Sequence, residues 1–600
     1  MTSTSSPSAP AEVDNEAMQQ ETCDVLIVGG GAGGLATAVT ASRLGARVIL
    51  LEKSDVLGGV AAYSGGVLWI PGNKFDRNPI KSGREYLTAE LGDNGFQEDI
   101  DLFLKSGQEM VTFFEECTSV KFLPSDYPDY HPENRSGSLA GRALYTAAFD
   151  GAQLGSSLKL LRAPLRTMTL FGMMLNSATK DLTHFYNATS SFRSFIFVAK
   201  RIARHLWELL LYRRSVSLTS GNALAARLLK SAVDQGVSIR TNVSVEELLL
   251  SEGRVIGAVL GGQRSGHKIF AGRGVVLACG GFPNDAKRVA QLYPHVKRGG
   301  EHLSPAPKSS TGDGIRLAES VGADFRGIAG RPAAWMPTSR VPARGGDFAV
   351  FPHIVDRYKP GVIAVLEDGT RFVNESNSYH DFCEALIEAC EGLNETAAWL
   401  ICDHLTLRKY GLGYVKPRPF PLRGALTSGY LTKGRTLPEL ATRIGVNATA
   451  VQQTIETYNA HAVSGQDPAF GRGTSAFNQY LGDPANKPNP NVRPVSEPPF
   501  YAIKVVVGEV GTYAGLATSA HGEVLDRKGK IIDGLFAAGN DRASIMSGGY
   551  PGPGITLGPI LTFAYLTGAR LARGERDRVE SLAEHTKSDE FRAKEMTKRF

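Results

Sequence analysis

Cysteine is scarce in this chain of 600 residues: Cys23, Cys117, Cys279, Cys383, Cys390 and Cys402 are all there is. They form no C-x-x-C and no spacing paired with histidines, so neither a zinc site nor a disulfide framework is indicated and no metal is expected. A reducing cytoplasm fits that usage. An excess of one charge is missing as well. The 66 basic and 60 acidic residues leave a net charge of +6, which gives a nucleic-acid footprint little support. No stretch reaches the roughly 18 uninterrupted apolar residues of a membrane span. Residues 1–20, MTSTSSPSAPAEVDNEAMQQ, have neither a basic start nor an apolar run, so they read as a disordered leader rather than a signal peptide.

Ordinary globular composition remains, with 42% hydrophobic and 21% charged residues, in a chain too long for one simple core. Its most informative stretch is CDVLIVGGGAGGLATAVTASRLGARVILLEK (23–53): a buried-strand run, a glycine turn, an alanine-rich helix and a second apolar strand ending in an acid. Gly29, Gly31 and Gly34 satisfy G-x-G-x-x-G, which permits a tight turn, close approach of a pyrophosphate and packing of helix on strand. Ala32 and Gly33 open the helix, whose N-terminus offers free N–H groups and a positive dipole end to phosphates. Glu52, followed by Lys53, lies 18 residues beyond Gly34, where a carboxylate can accept bonds from ribose hydroxyls. The pattern alone does not separate NAD from FAD.

Three later features favour FAD. GGVAAYSGGVLWIPGN (58–73) adds Gly59, Ser64, Gly65 and Gly66 directly after the ribose acid. TNVSVEELLLSEGRVIGAVL and GVVLACGGF (241–282) read as strands returning to the same sheet, with Val243 placed to meet an adenine through its backbone and Gly280 at the strand end. IDGLFAAGN (532–540) ends in Gly539 and Asn540, and MSGGYPGPGITLGP (546–559) then leads through Thr556 and Leu557 into an apolar helix. One long cofactor is thus expected to be held by both ends of the chain.

On these motifs the chain resembles the flavoprotein family of fumarate reductases and 3-ketosteroid dehydrogenases from residue 21 to about 575. The resemblance implies an α/β fold: a Rossmann-like FAD-binding domain (21–300, with a helical insertion at 151–215), interrupted by an α+β catalytic cap (301–497), resumed at 498–575 and followed by a tail at 576–600. Within the cap, TLPELATRIGVNATAVQQTIETYN (436–459) carries a capping box of Thr436 and Glu439, breaks at Gly445 and restarts at Asn447, which predicts a helix pair.

Fumarate reductases place a histidine near residue 512 and an arginine after the late A-A-G motif. This chain has VGTYAGL (510–516) and SGGYPGPG (547–554) there, so the clamp for a dicarboxylate is missing. The replacement is similar to the tyrosine-proline-glycine segment of 3-ketosteroid Δ1-dehydrogenases, which implies that the Tyr550 hydroxyl and the Gly554 N–H bind a ketone oxygen as an oxyanion hole. RFVNESNSYHDF (371–382) resembles the stretch carrying the catalytic base, which falls on Tyr379, with His380 beside it. PSDYPDYHPENRSG (124–137) resembles the segment of a supporting tyrosine: Tyr130, with Tyr127 as rival. The implied activity is α,β-dehydrogenation of a cyclic ketone, with 3-ketosteroids first, small cyclic ketones such as cyclohexanone derivatives second, and a fumarate-reductase-like enoate reductase as a further alternative. An external electron acceptor is required, whose identity the sequence does not carry; nor does it carry the oligomeric state.

One segment departs from the family. LKLLRAPLRTMTLFGMML (158–175) and FRSFIFVAKRIARHLWELLLYRRS (192–215) place basic residues between apolar positions at helical spacing. They read as a basic amphipathic hairpin that touches a membrane peripherally or lids the pocket, or as helices packed on the core with solvated basic faces. Tyr186, within the segment, is an alternative base if the insertion folds over the flavin.

Overall fold

The computed structural model describes residues 20–573 except 94–95, 175–180, 189–190, 329 and 394; all but the last residue of the expected leader, the expected tail and part of the 151–215 segment lie outside the described residues. The motif read first folds as a unit. Strand β1 (Gln20–Val28) leads into helix α1 (Ala32–Arg43), and strand β2 (Val48–Leu51) returns parallel to β1 with Val28 opposite Leu51. Helix α1 has no polar face to show: Leu35, Ala36, Ala38 and Val39 are fully buried between the sheet and the late helix Leu557–Arg573. Burying a Leu or Val side chain contributes about 1.5–3 kcal/mol, so the apolar sequence of α1 itself seats it in the interior.

Around this unit an eight-stranded sheet forms. Five of its strands run parallel: Ser238–Arg240, β2, β1, Lys268–Leu277 and Ile531–Ala537. Their register puts Arg240 opposite Leu51, Leu51 opposite Val28, Val28 opposite Leu277 and Leu277 opposite Ala537. The carboxyl ends of five strands therefore share one edge, the side on which open α/β sheets receive ligands. The strands Ser244–Ser251 and Arg254–Gly261 extend the sheet antiparallel.

A second, antiparallel sheet runs in the order Phe348–Pro352, Ala333–Pro342, Phe500–Thr512, Ala397–Cys402, Val362–Val365. The expected boundary at 498 therefore falls too early. Phe500–Thr512 is a largely buried strand paired on both sides within the second sheet, and the chain rejoins the first only with Glu523–Leu525 and Ile531–Ala537. The helix pair forms as expected: Leu437–Ile444 and Ala448–Ala462 pack on Ile363, Val365 and Ile401 of this sheet. The Glu439 N–H reaches Thr436 Oγ1 at 3.3 Å, Gly445 takes φ +73°, and the Asn447 side chain caps the second helix.

The 151–215 segment corrects its expectation. Only its second half is helical at length, in Asp181–Tyr186 and Phe192–Tyr212. Residues 151–174 form short 3-10 turns and a small ladder of Thr169–Leu170 with Met173–Met174. Pro164 lacks an N–H to continue a helix, and Phe171 (φ +52°) and Gly172 (φ +89°) make the reversal between the two short strands.

Candidate active site

A cavity opens at the shared strand edge, lined by Gly29, Gly31, Ala32, Gly33, Glu52, Lys53, Gly59, Val243, Gly280, Gly539, Asn540 and Leu557. Residues from position 29 to position 557 converge there because the parallel register aligns their strand ends. Gly29 has φ +111°, and a Cβ on it would stand 2.2 Å from the Ala278 carbonyl oxygen, so no other residue fits the turn. Gly34 packs against Gly29 in turn, whereas a Cβ on Gly31 would point into open space. That opening, at the N-terminus of α1, is the cradle a pyrophosphate needs.

The carboxylate of Glu52 accepts the N–H groups of Gly30 and Ser54, both at 2.8 Å, which fixes it at the cavity wall with lone pairs to spare for ribose hydroxyls. Lys53 is pinned by Thr311 and Asp313. The Val243 N–H is donated to the Glu52 carbonyl at 3.0 Å, which fixes Val243 in the cavity wall. Thr556 lines a smaller neighbouring cavity with Asn540 and Ile560. Ser64, Gly65 and Gly66 stand outside both linings. Ser64 Oγ bonds Ala61 and Gly66, its carbonyl accepts the Gly221 N–H, and Gly66 backs onto Ser220, so this turn seats the Ser220–Asp234 helix.

Two residues without a local motif contribute to the cavity, Arg162 as part of the lining and Asp541 by bracing the turn that carries Cys279 and Gly280. Arg162 reaches it from the 151–215 segment, with a buried Nε that has no hydrogen-bond partner among the described residues. Its Nη2 donates to Ser54 Oγ at 3.2 Å and to Val56 O at 3.4 Å, and a guanidinium with an unused Nε beside an open glycine cradle fits a diphosphate. Asp541 accepts the N–H groups of Cys279 (2.6 Å) and Gly281 (2.8 Å) and so holds the turn after Lys268–Leu277 in place. Burial pushes its carboxyl up to about 6, although those two bonds work against the shift.

Tyr130, Tyr379 and Tyr550 meet in the core, tied to the smaller cavity through Thr556. The Tyr379 hydroxyl donates to Tyr550 at 2.5 Å with the rings edge to face, and Tyr130 stacks on Tyr550 with centroids 5.5 Å apart. Tyr130 also hydrogen-bonds the Tyr379 hydroxyl, and Thr556 bonds the Tyr550 hydroxyl. Burial raises all three phenols, Tyr130 and Tyr379 far above the usual value; Tyr550 is held to about 12 because Tyr379 and Thr556 donate to its oxygen. With two donors on that oxygen, the proton of Tyr550 is the one left to give away.

The backbone around Tyr550 is braced from several sides. Pro551 O accepts the Tyr86 hydroxyl at 2.6 Å and the Tyr130 N–H at 2.9 Å, and Gly549 O accepts the Tyr513 hydroxyl at 2.8 Å. Tyr513 thus braces this turn from VGTYAGL. Gly554 sits at φ +92°, where a Cβ would stand 2.4 Å from the Val67 carbonyl oxygen. Its N–H has no partner among the described residues, which leaves a donor four residues after Tyr550.

His380 is fully engaged: Nδ1 accepts the Trp335 N–H at 3.0 Å and Nε2 donates to Gly548 O at 2.9 Å. Tyr127 stacks on Tyr480 at 4.6 Å, one layer out from Tyr130. Tyr186 packs on Tyr410 and Lys359 instead of on the three tyrosines. One relationship had no sequence signal. His131 bridges Glu90 (2.6 Å) and Asp381 (3.0 Å), tying the loop of Tyr130 to the helix Tyr379–Ala389, whose first residue is Tyr379.

A family model described as FAD binding domain matches residues 24–557. The chain is 38% identical to a 4-oxocyclohex-2-ene-1-carboxylate 5-dehydrogenase of Sinomonas cyclohexanicum, covering 92% of this chain and 94% of that one. It is 34% identical to a 3-oxosteroid 1-dehydrogenase of Mycolicibacterium smegmatis, over 92% and 97% of the two chains. The crystal structure of a 3-ketosteroid delta1-dehydrogenase from Sterolibacterium denitrificans, in complex with 1,4-androstadiene-3,17-dione, superposes with a TM-score of 0.85 at 32% identity, over 92% of this chain and all of that one. The chain belongs to the FAD binding domain family, as an FAD-dependent oxidoreductase whose relatives are named dehydrogenases.

Proposed function

We propose that the protein desaturates a cyclic ketone at the α,β position, with Tyr550 and Gly554 as the carbonyl grip, Tyr379 as the base and Tyr130 as its support. The observation that carries this reading is the buried Tyr379–Tyr550 hydrogen bond in the same short segment as the unpaired Gly554 N–H. The Tyr550 O–H and the Gly554 N–H donate to the ketone oxygen and stabilise the negative charge that develops there as the neighbouring carbon loses a proton. Tyr379 takes that proton, and the hydrogen bond from Tyr130 favours its phenolate. When bound, FAD supplies the acceptor for the hydride that leaves the next carbon. Gly31 and Arg162 would hold the cofactor's diphosphate, Glu52 its ribose and Val243 its adenine. The FAD-binding unit then comprises residues 21–300, and resumes after residue 512 once the cap ends.

The ring of the ketone has two readings. A 3-ketosteroid follows from the steroid dehydrogenases at 34% and 32% identity. A one-ring ketone follows from the relative at 38% identity, and from the aromatic wall of Tyr127, Phe477 and Tyr480 stacked beside Tyr130. Anaerobic mixing of the FAD-loaded protein with an androstenedione-type steroid and, separately, with cyclohexanone distinguishes them. Bleaching of the oxidised flavin band by one of them assigns the ring size, and bleaching by neither removes the proposal.

A further inference from the structure

The Phe192–Tyr212 helix is built inside out. The residues it buries are Ser194, His205 and Glu208. Each has a polar partner: Ser194 meets His184, His205 meets the Phe171 carbonyl, and Glu208 accepts the Ser215 hydroxyl and the N–H groups of Val216 and Ser217. The helix is thus fastened to the protein by hydrogen bonds. Its apolar residues face outward: Phe192 is 79% exposed, Leu210 73%, Leu206 and Trp207 61% each, and Phe195 57%. At 100° per residue these five fall on one face, with Ile196 among them. Phe171, from the adjoining turn, is exposed as well.

A soluble helix does the reverse, so an outward apolar stripe of this length needs an occupant. Charge identifies it. Arg193, Lys200, Arg204 and Arg213 are exposed along or just beyond the helix, whose single acid, Glu208, is buried. Among the described residues no helix is long and apolar enough to cross a membrane, and the lysine and arginines within this one keep it at the surface. Aromatic and leucine side chains on one face with cations beside them, and no exposed acid, describe a helix lying in the headgroup layer of an anionic bilayer.

We propose that the Phe192–Tyr212 helix docks the protein on an anionic phospholipid surface, with Phe192, Phe195, Leu206, Trp207 and Leu210 inserted below the headgroups and the flanking cations on lipid phosphates. The proposal does not depend on which ketone the active site takes. The test is sedimentation of the full-length, FAD-loaded protein with phosphatidylcholine vesicles, with and without phosphatidylglycerol. The expected result is binding that rises about tenfold or more with phosphatidylglycerol and weakens at high salt, where the cations are screened. The double variant Leu206→Glu, Leu210→Glu should lose vesicle binding by a similar factor while keeping its flavin spectrum, melting temperature and turnover of a water-soluble ketone. Trp207 emission should shift to the blue on anionic vesicles, a change absent from W207F. Failure of the parent protein to sediment with anionic vesicles, or unchanged binding by the double variant, overturns the proposal. So does a parent that is dimeric and vesicle-free where the double variant is monomeric, since the stripe is then a contact between two copies.

Discussion

Tyr379 donates its hydroxyl proton to the oxygen of Tyr550 across 2.5 Å, although the two residues are 171 positions apart in the chain. The two phenols therefore act as a unit. Replacing either with phenylalanine removes a proton acceptor or an oxyanion donor, and turnover should fall by about 10²–10⁴ in each case. The double variant should be little worse than the single ones, because the second substitution removes a group already without its partner. Flavin bleaching rates under anaerobic conditions measure this, and an unchanged flavin spectrum separates it from loss of the cofactor.

The same pair sets a pH dependence. Burial disfavours both phenolates, holding Tyr550 at about 12 and Tyr379 well above the ordinary value. A base that must be deprotonated to work then gains occupancy as pH rises. The logarithm of turnover should climb with pH from neutrality without a plateau below about pH 10, with no alkaline fall in that range because Tyr550 keeps its proton. A flat profile across that range would assign the proton to another group.

His131 should reveal itself through stability. Burial alone would lower its pKa, but hydrogen bonds to Asp381 and Glu90 outweigh that and hold the imidazolium up at about 10. A folded-state pKa above the ordinary 6.5 means that its contribution is complete below pH 6.5 and is lost as pH rises through about 10. His131→Gln should therefore be destabilised by about 1–3 kcal/mol at pH 6, with the gap from the parent closing toward pH 10. Denaturant titrations at the two pH values test the sign. Turnover should drop about tenfold, since the Tyr130 loop and the Tyr379 helix lose their tie.

Arg162→Ala should weaken FAD retention by about tenfold or more, through loss of a charge-assisted contact to the diphosphate. Gly31→Val should abolish retention by filling the cradle, with φ values that cause no strain of their own. Flavin absorbance recovered after gel filtration reads both. Full retention in R162A would leave the unpartnered Arg162 Nε without a ligand role.

What was legible in the sequence was local. The turn from Gly29 to Gly34, the acid at the end of β2 and the caps at Thr436 and Asn447 are set by neighbours a few residues away, and each of these local shapes is present in the structure. Tyr550 and Tyr379 were found by motif, and the core brings them together. Groups whose partners lie far along the chain were not legible. Asp541 binds N–H groups 260 residues upstream, Arg162 reaches the cavity from an insertion with no motif, and the His131 bridge joins Glu90 to Asp381. The helix expected near 158–175 failed where Pro164 breaks its hydrogen bonding. Phe500–Thr512 was included in the resumed FAD-binding part because a largely buried strand carries no record of its neighbours.

The shared strand edge has a consequence for how the protein is made. The cavity wall draws on Gly29 at one end of the sequence and on Gly539, Asn540 and Leu557 at the other, with Ile531–Ala537 as the strand that brings the late pieces into line. A ribosome delivering this chain has produced the glycine turn long before the closing wall exists. The complete cavity wall therefore exists only once synthesis has passed residue 557.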